Sequence, residues 1–232
     1  MEPNPIRAVT FDAGGTLIEP WPSVGHIYAE VAARHGCGKP SPAKLSEQFA
    51  AAWHARRDFD YSRLAWFELV RQTFAGLIDS PPNEDFFAAL YERFTEPSAW
   101  RVFDDVLPAL FELQARGFQL ALISNWDERL RPLLERLALA RLFDATVISL
   151  EAGHAKPSPE IFRRAAAQLG LPAEALLHVG DSVREDFDGA RKAGLHGVLL
   201  DRGATQPGRL AINSLGALPE LLEGMGSKGC AD

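Results

Sequence analysis

The side chains able to do chemistry sit where apolar runs end. Asp12 closes the run Ile6 to Phe11 and is followed by Ala13-Gly14-Gly15-Thr16-Leu17. Ser124-Asn125 follow a second run, Phe118 to Ile123, and Asp181 follows Leu176-Leu177-His178-Val179-Gly180. Lys156 stands before Pro157-Ser158-Pro159, and Asp186 lies five residues beyond Asp181. Each residue has a plainer use. Ser124 could cap a helix, Lys156 could be a solvated loop lysine, Asp181 could be a turn residue, and Asp186 could sit at a helix start for its dipole. Gathered in one place, they would suit phosphoryl transfer. Asp12 would be a carboxylate nucleophile that accepts the phosphoryl group. Asp12 and Asp181 would hold Mg²⁺, a hard cation that takes carboxylates, carbonyls, water and phosphate oxygens. Lys156 would neutralise charge brought by the substrate, and Ser124 and backbone N–H groups near Gly15 and Thr16 would donate to phosphoryl oxygens.

The elements that must position these groups can be read from the apolar spacing. The run Ile6–Phe11 is rich enough in β-branched and aromatic residues to be a buried strand. Its two following glycines permit a sharp turn and close approach to a ligand. A carboxylate at the C-terminal end of such a strand stands where open α/β sheets bind ligands. From Pro20 to about Pro97 only helical patterns occur. The first runs from a Ser23 cap to His35. The second enters at Ser41-Pro42 and buries Leu45, Phe49, Ala52 and Trp53. The third spans about Ser62 to Ile78. After a break at Pro81-Pro82-Asn83 the fourth carries Phe86, Phe87, Leu90, Tyr91 and Phe94. Strand and helix then alternate. Strands are expected at Phe118–Ile123, Ala145–Ile148, Leu176–Val179 and Gly197–Leu200. Helices are expected from Asp104 or Asp105 to Arg116, from Glu128 to Leu137, from Ser158-Pro159 to Leu169, from Phe187 to Ala193, and from Leu218 to Leu222, with a frayed end from Gly224. This alternation predicts right-handed crossovers and a doubly wound parallel sheet, an α/β fold. Residues 1–18 and 98–232 would form the core, and residues 19–97 an all-α insertion lying as a lid over the C-terminal edge of the sheet.

In order and over nearly the whole chain, these motifs resemble those of the haloacid dehalogenase-like hydrolase superfamily. Asp12-Ala13-Gly14-Gly15-Thr16-Leu17 matches its first motif. Leu122-Ile123-Ser124-Asn125 is similar to the second, Lys156-Pro157-Ser158-Pro159-Glu160-Ile161-Phe162 to the third, and Gly180-Asp181-Ser182 with Asp186 and Gly189-Ala190 to the fourth. The resemblance implies a Rossmann-like core with a C1-type helical cap that selects substrate. It also implies Asp12 and Lys156 as catalytic residues. Phosphate would be held by Gly15, Thr16, Ser124, Asn125 and Lys156. Mg²⁺ would be held by Asp12, the Gly14 backbone carbonyl and Asp181, with Asp186 bound directly or one shell out. The chain departs from the pattern at Gly14, where phosphatases of this family place a second aspartate that protonates the leaving group and then activates water. General acid–base catalysis is worth about 10²–10⁴-fold, so slow or specialised activity is expected, least impaired on acyl or aryl phosphates. His26 is a substitute proton donor to consider, against its plainer use as a surface histidine.

Two other chemistries and one non-enzymatic role use the same scaffold. A dehalogenase would form an ester on Asp12 and needs no acid for halide, but dehalogenases resembled here carry a tyrosine at the Gly14 position and lack the Asp181/Asp186 pattern. A phosphonate hydrolase would need a cap lysine, and Lys39 and Lys44 both lie in a polar stretch. A metal- and phosphate-binding module without turnover is the third possibility. Trp21, Trp53, Trp66 and Phe67 are read mainly as bundle core, and Arg34, Arg56, Arg57 and Arg63 as solvated.

Composition narrows the partners. A net charge of −7 disfavours non-specific nucleic-acid or anionic-membrane binding. Cys37 and Cys230, far apart, suggest neither a disulfide framework nor a zinc site. Met1 to Pro5 lacks the regions of a signal peptide, and no apolar run is long enough to span a bilayer. The expectation is a cytoplasmic monomer or homodimer acting on a small phosphorylated or otherwise activated metabolite.

Overall fold

The computed structural model describes residues 6–57, 59–78, 82–205, 208 and 210–227. Met1–Pro5, Pro81, Cys230 and the chain end from Lys228, which carry some of the expectations above, lie outside the described residues. The chain forms two compact units. One comprises Met1–Ile18, Val102–Trp126 and Leu139–Asp232, and the other Glu19–Arg101 with Asp127–Ala138.

The first unit is built on a parallel sheet. In chain order its strands are β1 (Ala8–Phe11), β4 (Gln119–Ser124), β5 (Ala145–Ile148), β6 (Leu176–Gly180), β7 (His196–Leu200) and β8 (Ala211–Ile212), while β2 (Ile18–Pro20) and β3 (Trp100–Val102) form a separate two-stranded ribbon. The spatial order is β5-β4-β1-β6-β7-β8, with parallel pairing throughout. The chain runs outward from β1 through β4 to β5, then crosses to β6 on the other side of β1. The strand order therefore switches at β1, and such a switch point opens a crevice at the carboxyl ends of the strands. Register fixes what stands there. Phe11 pairs with Leu122 and with Val179, so Asp12, Ser124 and Gly180-Asp181 lie one or two residues past the same level. The Asp12 N–H continues the ladder to Val179 O at 2.9 Å. β1 is buried on both faces, as a central parallel strand must be.

Helices α5 (Val106–Ala115), α7 (Ser149–Ala152), α8 (Pro159–Leu169), α9 (Gly189–Lys192) and α10 (Leu218–Ser227) also belong to this unit. α8 starts with Pro159 just inside a Ser158 cap and ends at Gly170 in the left-handed region, as its sequence predicts. Three details differ from the sequence reading. The stretch before α9 is a π-helical turn, Val183–Asp188, not the first part of a simple helix. Asp105 does not cap α5 through its side chain. Its carboxylate instead binds Arg202, Ser214 and the Leu215 N–H. α10 continues to Ser227, beyond Leu222.

The second unit holds α1 (Val24–Arg34), α2 (Pro42–Ala55), α3 (Arg63–Phe74), α4 (Glu84–Arg93) and α6 (Leu130–Arg136). Ser23, Ser62 and Asn83 each accept a hydrogen bond from the first turn of the helix they cap. α3 stops at Phe74, short of Ile78, because Gly76 turns the chain with φ of 71°. Tyr28, Phe74, Phe86, Phe87, Leu90 and Tyr91 are among its buried core, and Trp66 and Phe67 pack against them. Trp53 stacks on Phe49 and Trp66, whereas Trp21 is exposed.

α6 groups with the helices, although the sequence reading placed its residues in the core domain. The reason is a buried guanidinium. Arg129 donates to both oxygens of fully buried Asp127, from Nε at 2.9 Å and from Nη2, and its Nη1 reaches Tyr91 O at 3.4 Å. The guanidinium lies 3.6 Å from the Tyr91 ring centre, and the Tyr91 hydroxyl donates to Glu128 at 2.8 Å. Arg136 donates to Thr95 O at 2.7 Å. Removing one member of a buried ion pair strands the other charge without water. Asp127→Ala is therefore expected to lower stability by about 3–5 kcal/mol, measured by urea denaturation followed through tryptophan fluorescence.

Candidate active site

The first unit brings together Asp12, Ser124, Lys156, Asp181 and Asp186. Lys156 is the hub. Its Nζ lies 2.6 Å from Asp12 Oδ1 and 2.6 Å from Asp186 Oδ1, and its side chain is almost wholly buried. Ser124 donates to the same Asp12 oxygen at 3.0 Å. Asp186 Oδ1 also faces His178 Nε2 at 3.1 Å, and its Oδ2 accepts the Ser182 N–H at 3.0 Å. Oxygens of Asp12, Asp181 and Asp186 all lie within 4.8 Å of one another.

Close approach of backbone to carboxylate makes this possible at two glycines. A Cβ on Gly180 would lie 2.2 Å from Asp186 Cγ, so the end of β6 must be bare for Asp186 to fold in. A Cβ on Gly15 would lie 2.4 Å from Asp181 Oδ2, and Gly15 has φ of 79°. Only glycine serves both demands there.

Charge is unevenly distributed. Burial raises the Asp12 pKa above the usual carboxylate value, with Asp186 adding to the shift and Lys156 opposing it. Burial also acts to raise Asp186, but Lys156 and His178 outweigh it and hold that carboxyl well below the usual range. Lys156 is pushed up, because its two carboxylate partners outweigh its own desolvation. Asp181 has no such cation against it. The residue is exposed overall, but its carboxyl points at protein, and desolvation together with the charges of Asp12 and Asp186 raises its pKa to about 7.

Not every candidate takes the role expected of it. Asn125 is not free to bind phosphate. Its Nδ2 donates to Lys156 O at 2.9 Å and to Glu185 Oε2 at 3.1 Å, and its Oδ1 accepts the Lys156 N–H at 2.6 Å. It holds the lysine loop instead. The Gly15 N–H is likewise committed, to Ile18 O at 2.9 Å. Thr16 is fully buried; its carbonyl accepts from Arg202, and its Oγ1 finds no hydrogen-bond partner among the described residues. His26 belongs to the second unit, where its ring pairs with Ser23 at 2.8 Å. Lys39 and Lys44 are exposed. Arg34 pairs with Glu30, Arg56 lies over Trp53, and Arg63 lies over Phe87 and Tyr91.

Two neighbours were not singled out by sequence. His178 looked like one more residue of an apolar strand. Trp126 lies against Gly14, so that a Cβ there would come within 3.2 Å of its Cζ3. The Trp126 backbone is locked, its N–H donating to Ser149 Oγ and its carbonyl accepting from the same hydroxyl, both at 3.0 Å. The position two residues after Asp12 thus faces an indole edge and not a proton-transfer group.

The first unit thus gathers a buried carboxylate, a lysine and further aspartates at the switch point of a doubly wound sheet, where open α/β sheets bind ligands. The chain belongs to the haloacid dehalogenase-like hydrolase family, whose profile matches residues 6–194. It is 34% identical over 206 residues to haloacid dehalogenase-like hydrolase domain-containing protein 3 of Homo sapiens, covering 84% of this chain and 82% of that one. It is 29% identical to a glyceraldehyde 3-phosphate phosphatase of Methanopyrus kandleri, over 87% of this chain and 86% of the relative. Its fold is shared with an L-2-haloacid dehalogenase from Xanthobacter autotrophicus at a TM-score of 0.76 and 20% identity, covering 95% of this chain and 99% of that one. No helix among the described residues is long and apolar enough to cross a membrane.

The raised carboxyls set a pH dependence. Asp12 and Asp181 keep protons in the folded chain at pH values where unfolded carboxyls, near 3.8, have lost them. Through these two carboxyls the folded state binds more protons than the unfolded one, so their contribution to stability falls as pH rises from about 4 to about 7, while buried His178, its pKa lowered from 6.5, acts in the opposite direction over the acidic part of that range. In EDTA, the carboxyl contribution is read as a fall in the melting temperature of wild type relative to Asp181→Asn across this range. Asp181→Asn should flatten the drop and leave the protein more stable than wild type at pH 8, as read by calorimetry.

Proposed function

We propose that this chain is an Mg²⁺-dependent phosphatase acting through a phosphorylated Asp12, with a preference for good leaving groups. The observation that carries the reading is Lys156 shared between Asp12 and Asp186 beside the further carboxylate of Asp181. The donor set fits the metal. It offers carboxylate oxygens, suited to a hard divalent cation, and at Asp181 desolvation and two neighbouring carboxylates outweigh the pull of Lys156, an imbalance that a bound cation would relieve. Asp12 and Asp181, with the Gly14 carbonyl and Asp186, would hold the ion. When bound, Mg²⁺ would supply a positive charge for phosphoryl oxygens.

The side chains divide the remaining work. Asp12 Oδ1 is engaged by Ser124 and Lys156, which leaves Oδ2 to attack phosphorus. The P–O bond to the leaving group breaks as the carboxylate–phosphorus bond forms. Burial makes Asp12 more basic than an exposed carboxylate, while Lys156 keeps it ionised. Water then cleaves the phosphorylated carboxylate and frees inorganic phosphate. With an indole edge beside Gly14, no side chain at that position protonates the departing oxygen, so it leaves as an anion. Aryl and acyl phosphates tolerate this; alkyl phosphates do not. The phosphatase relative of Methanopyrus kandleri supports phosphoryl chemistry. The indole edge also suits halide displacement on Asp12, which needs no proton donor. Asp181 argues against that alternative, and metal dependence separates the two.

The test is hydrolysis of p-nitrophenyl phosphate with and without Mg²⁺. Wild type should turn over only with the ion, and Asp12→Asn should lose more than about 10³-fold in kcat. Equal rates for the two proteins, or metal-independent halide release from a 2-haloacid, would overturn the reading.

Gly14→Asp gives a second test. Its Cβ meets Trp126 Cζ3 at 3.2 Å, so the indole must yield before the carboxyl can reach a leaving group. Gly14→Asp alone is expected to gain far less than the roughly 10²–10⁴-fold of general acid catalysis on an alkyl phosphate. Gly14→Asp with Trp126→Ala should exceed it by about tenfold or more, read as kcat/KM on alkyl against aryl substrates.

A further inference from the structure

The proposed chemistry leaves one buried polar chain unused. His178, fully buried in β6, has Nε2 3.1 Å from Asp186 Oδ1 and Nδ1 2.8 Å from Thr10 Oγ1 in β1. Phe162 meets the imidazole nearly edge to face, with ring centres 5.1 Å apart. A polar ring out of reach of water must match both its nitrogens. An ionised carboxylate only accepts, so Nε2 has to carry a hydrogen. In a neutral ring with hydrogen on Nε2, Nδ1 is an acceptor. The Thr10 hydroxyl must then point at Nδ1, not at Leu177 O, which is farther away at 3.4 Å.

We propose that His178, held between Asp186 and Thr10 as the Nε2–H tautomer, is the positioning residue that keeps Lys156 shared between Asp12 and Asp186. Asp186 Oδ1 accepts from both His178 and Lys156, while Lys156 also serves Asp12 Oδ1. The imidazole N–H answers part of the charge on Asp186. Without it, the ammonium is the remaining side-chain donor on that oxygen and is drawn from Asp12 toward Asp186. Asp12 would then lose a donor that orients its Oδ1. The consequence for turnover rests on the phosphatase reading; the tautomer and the hydrogen-bond order do not.

The experiment combines two readouts on the full chain. Long-range ¹H–¹⁵N NMR of histidine-labelled protein reports the His178 tautomer, expected as Nε2–H in wild type and still Nε2–H in Thr10→Val, where Nδ1 only loses its hydrogen-bond donor. Kinetics on p-nitrophenyl phosphate with Mg²⁺ should show His178→Phe losing about 10–100-fold in kcat with KM within about threefold. His178→Gln, whose amide can place an N–H near the Nε2 position, should recover most of the loss. Thr10→Val should lose less than His178→Phe. An Nδ1–H tautomer in wild type overturns the proposal. So does unchanged kcat in folded His178→Phe, or equal loss in the Phe and Gln variants. If His178→Phe does not fold, Thr10→Val and His178→Gln still decide it. Absence of Asp12-dependent turnover in wild type would sink the phosphatase reading alone, and the tautomer would still judge the positioning.

Discussion

Everything at the strand ends depends on one ammonium group. Asp12 and Asp186 could not both stay ionised side by side in a buried pocket without Lys156 between them. A buried ion pair of this kind is a poor source of stability, because desolvation cancels most of the attraction. On the proposed reading its presence keeps a nucleophile aimed. At Asp181 desolvation and the charges of Asp12 and Asp186 outweigh the pull of the same lysine, and the pKa is pushed up to about 7. Three carboxyls gathered about one lysine offer oxygen donors suited to a divalent cation, and on the proposed reading that cation would meet an anionic substrate.

The scaffold holds this arrangement by backbone as much as by side chain. Parallel pairing of β1 with β4 and β6 sets Asp12, Ser124 and Asp181 at one level. Lys156 comes from a loop outside the sheet, and Asn125 ties that loop down by bonding both its N–H and its carbonyl. Asn125 thereby couples the end of β4 to the lysine. Its contribution is geometric, since its amide is committed to Lys156 and Glu185. The bare backbones of Gly15 and Gly180 supply the last ångströms that let two carboxylates close in.

Much of this was legible in the sequence because it is local. Apolar runs ending in Asp12, Ser124 and Gly180-Asp181 mark strand ends, and Ser158-Pro159 with Gly170 marks a helix with both its caps. What escaped depends on partners far away along the chain. Asn125 reads as a donor at a strand end until its partner Lys156, 31 residues on, is in place. His178 reads as a strand residue because nothing near it in sequence shows that Asp186 folds back beneath Gly180. The short ribbon of β2 and β3 has too few residues for any periodicity. The placement of α6 rests on Arg129 meeting Tyr91, a contact between segments 38 residues apart.

Gly14 shows how a single local reading changes once its neighbour is known. In sequence it is a missing carboxylate, an absence that a substrate or a cap residue could make good. In the structure, a Cβ there would come within 3.2 Å of the Trp126 indole, whose backbone is pinned on both sides by Ser149, so the ring would have to give by a few tenths of an ångström. The glycine and the close indole edge are two aspects of one arrangement. On the proposed phosphatase reading, the groups for attack at phosphorus are present while one for protonating what leaves is not at this position. Such a site would discriminate by the acidity of the leaving group before it discriminates by shape.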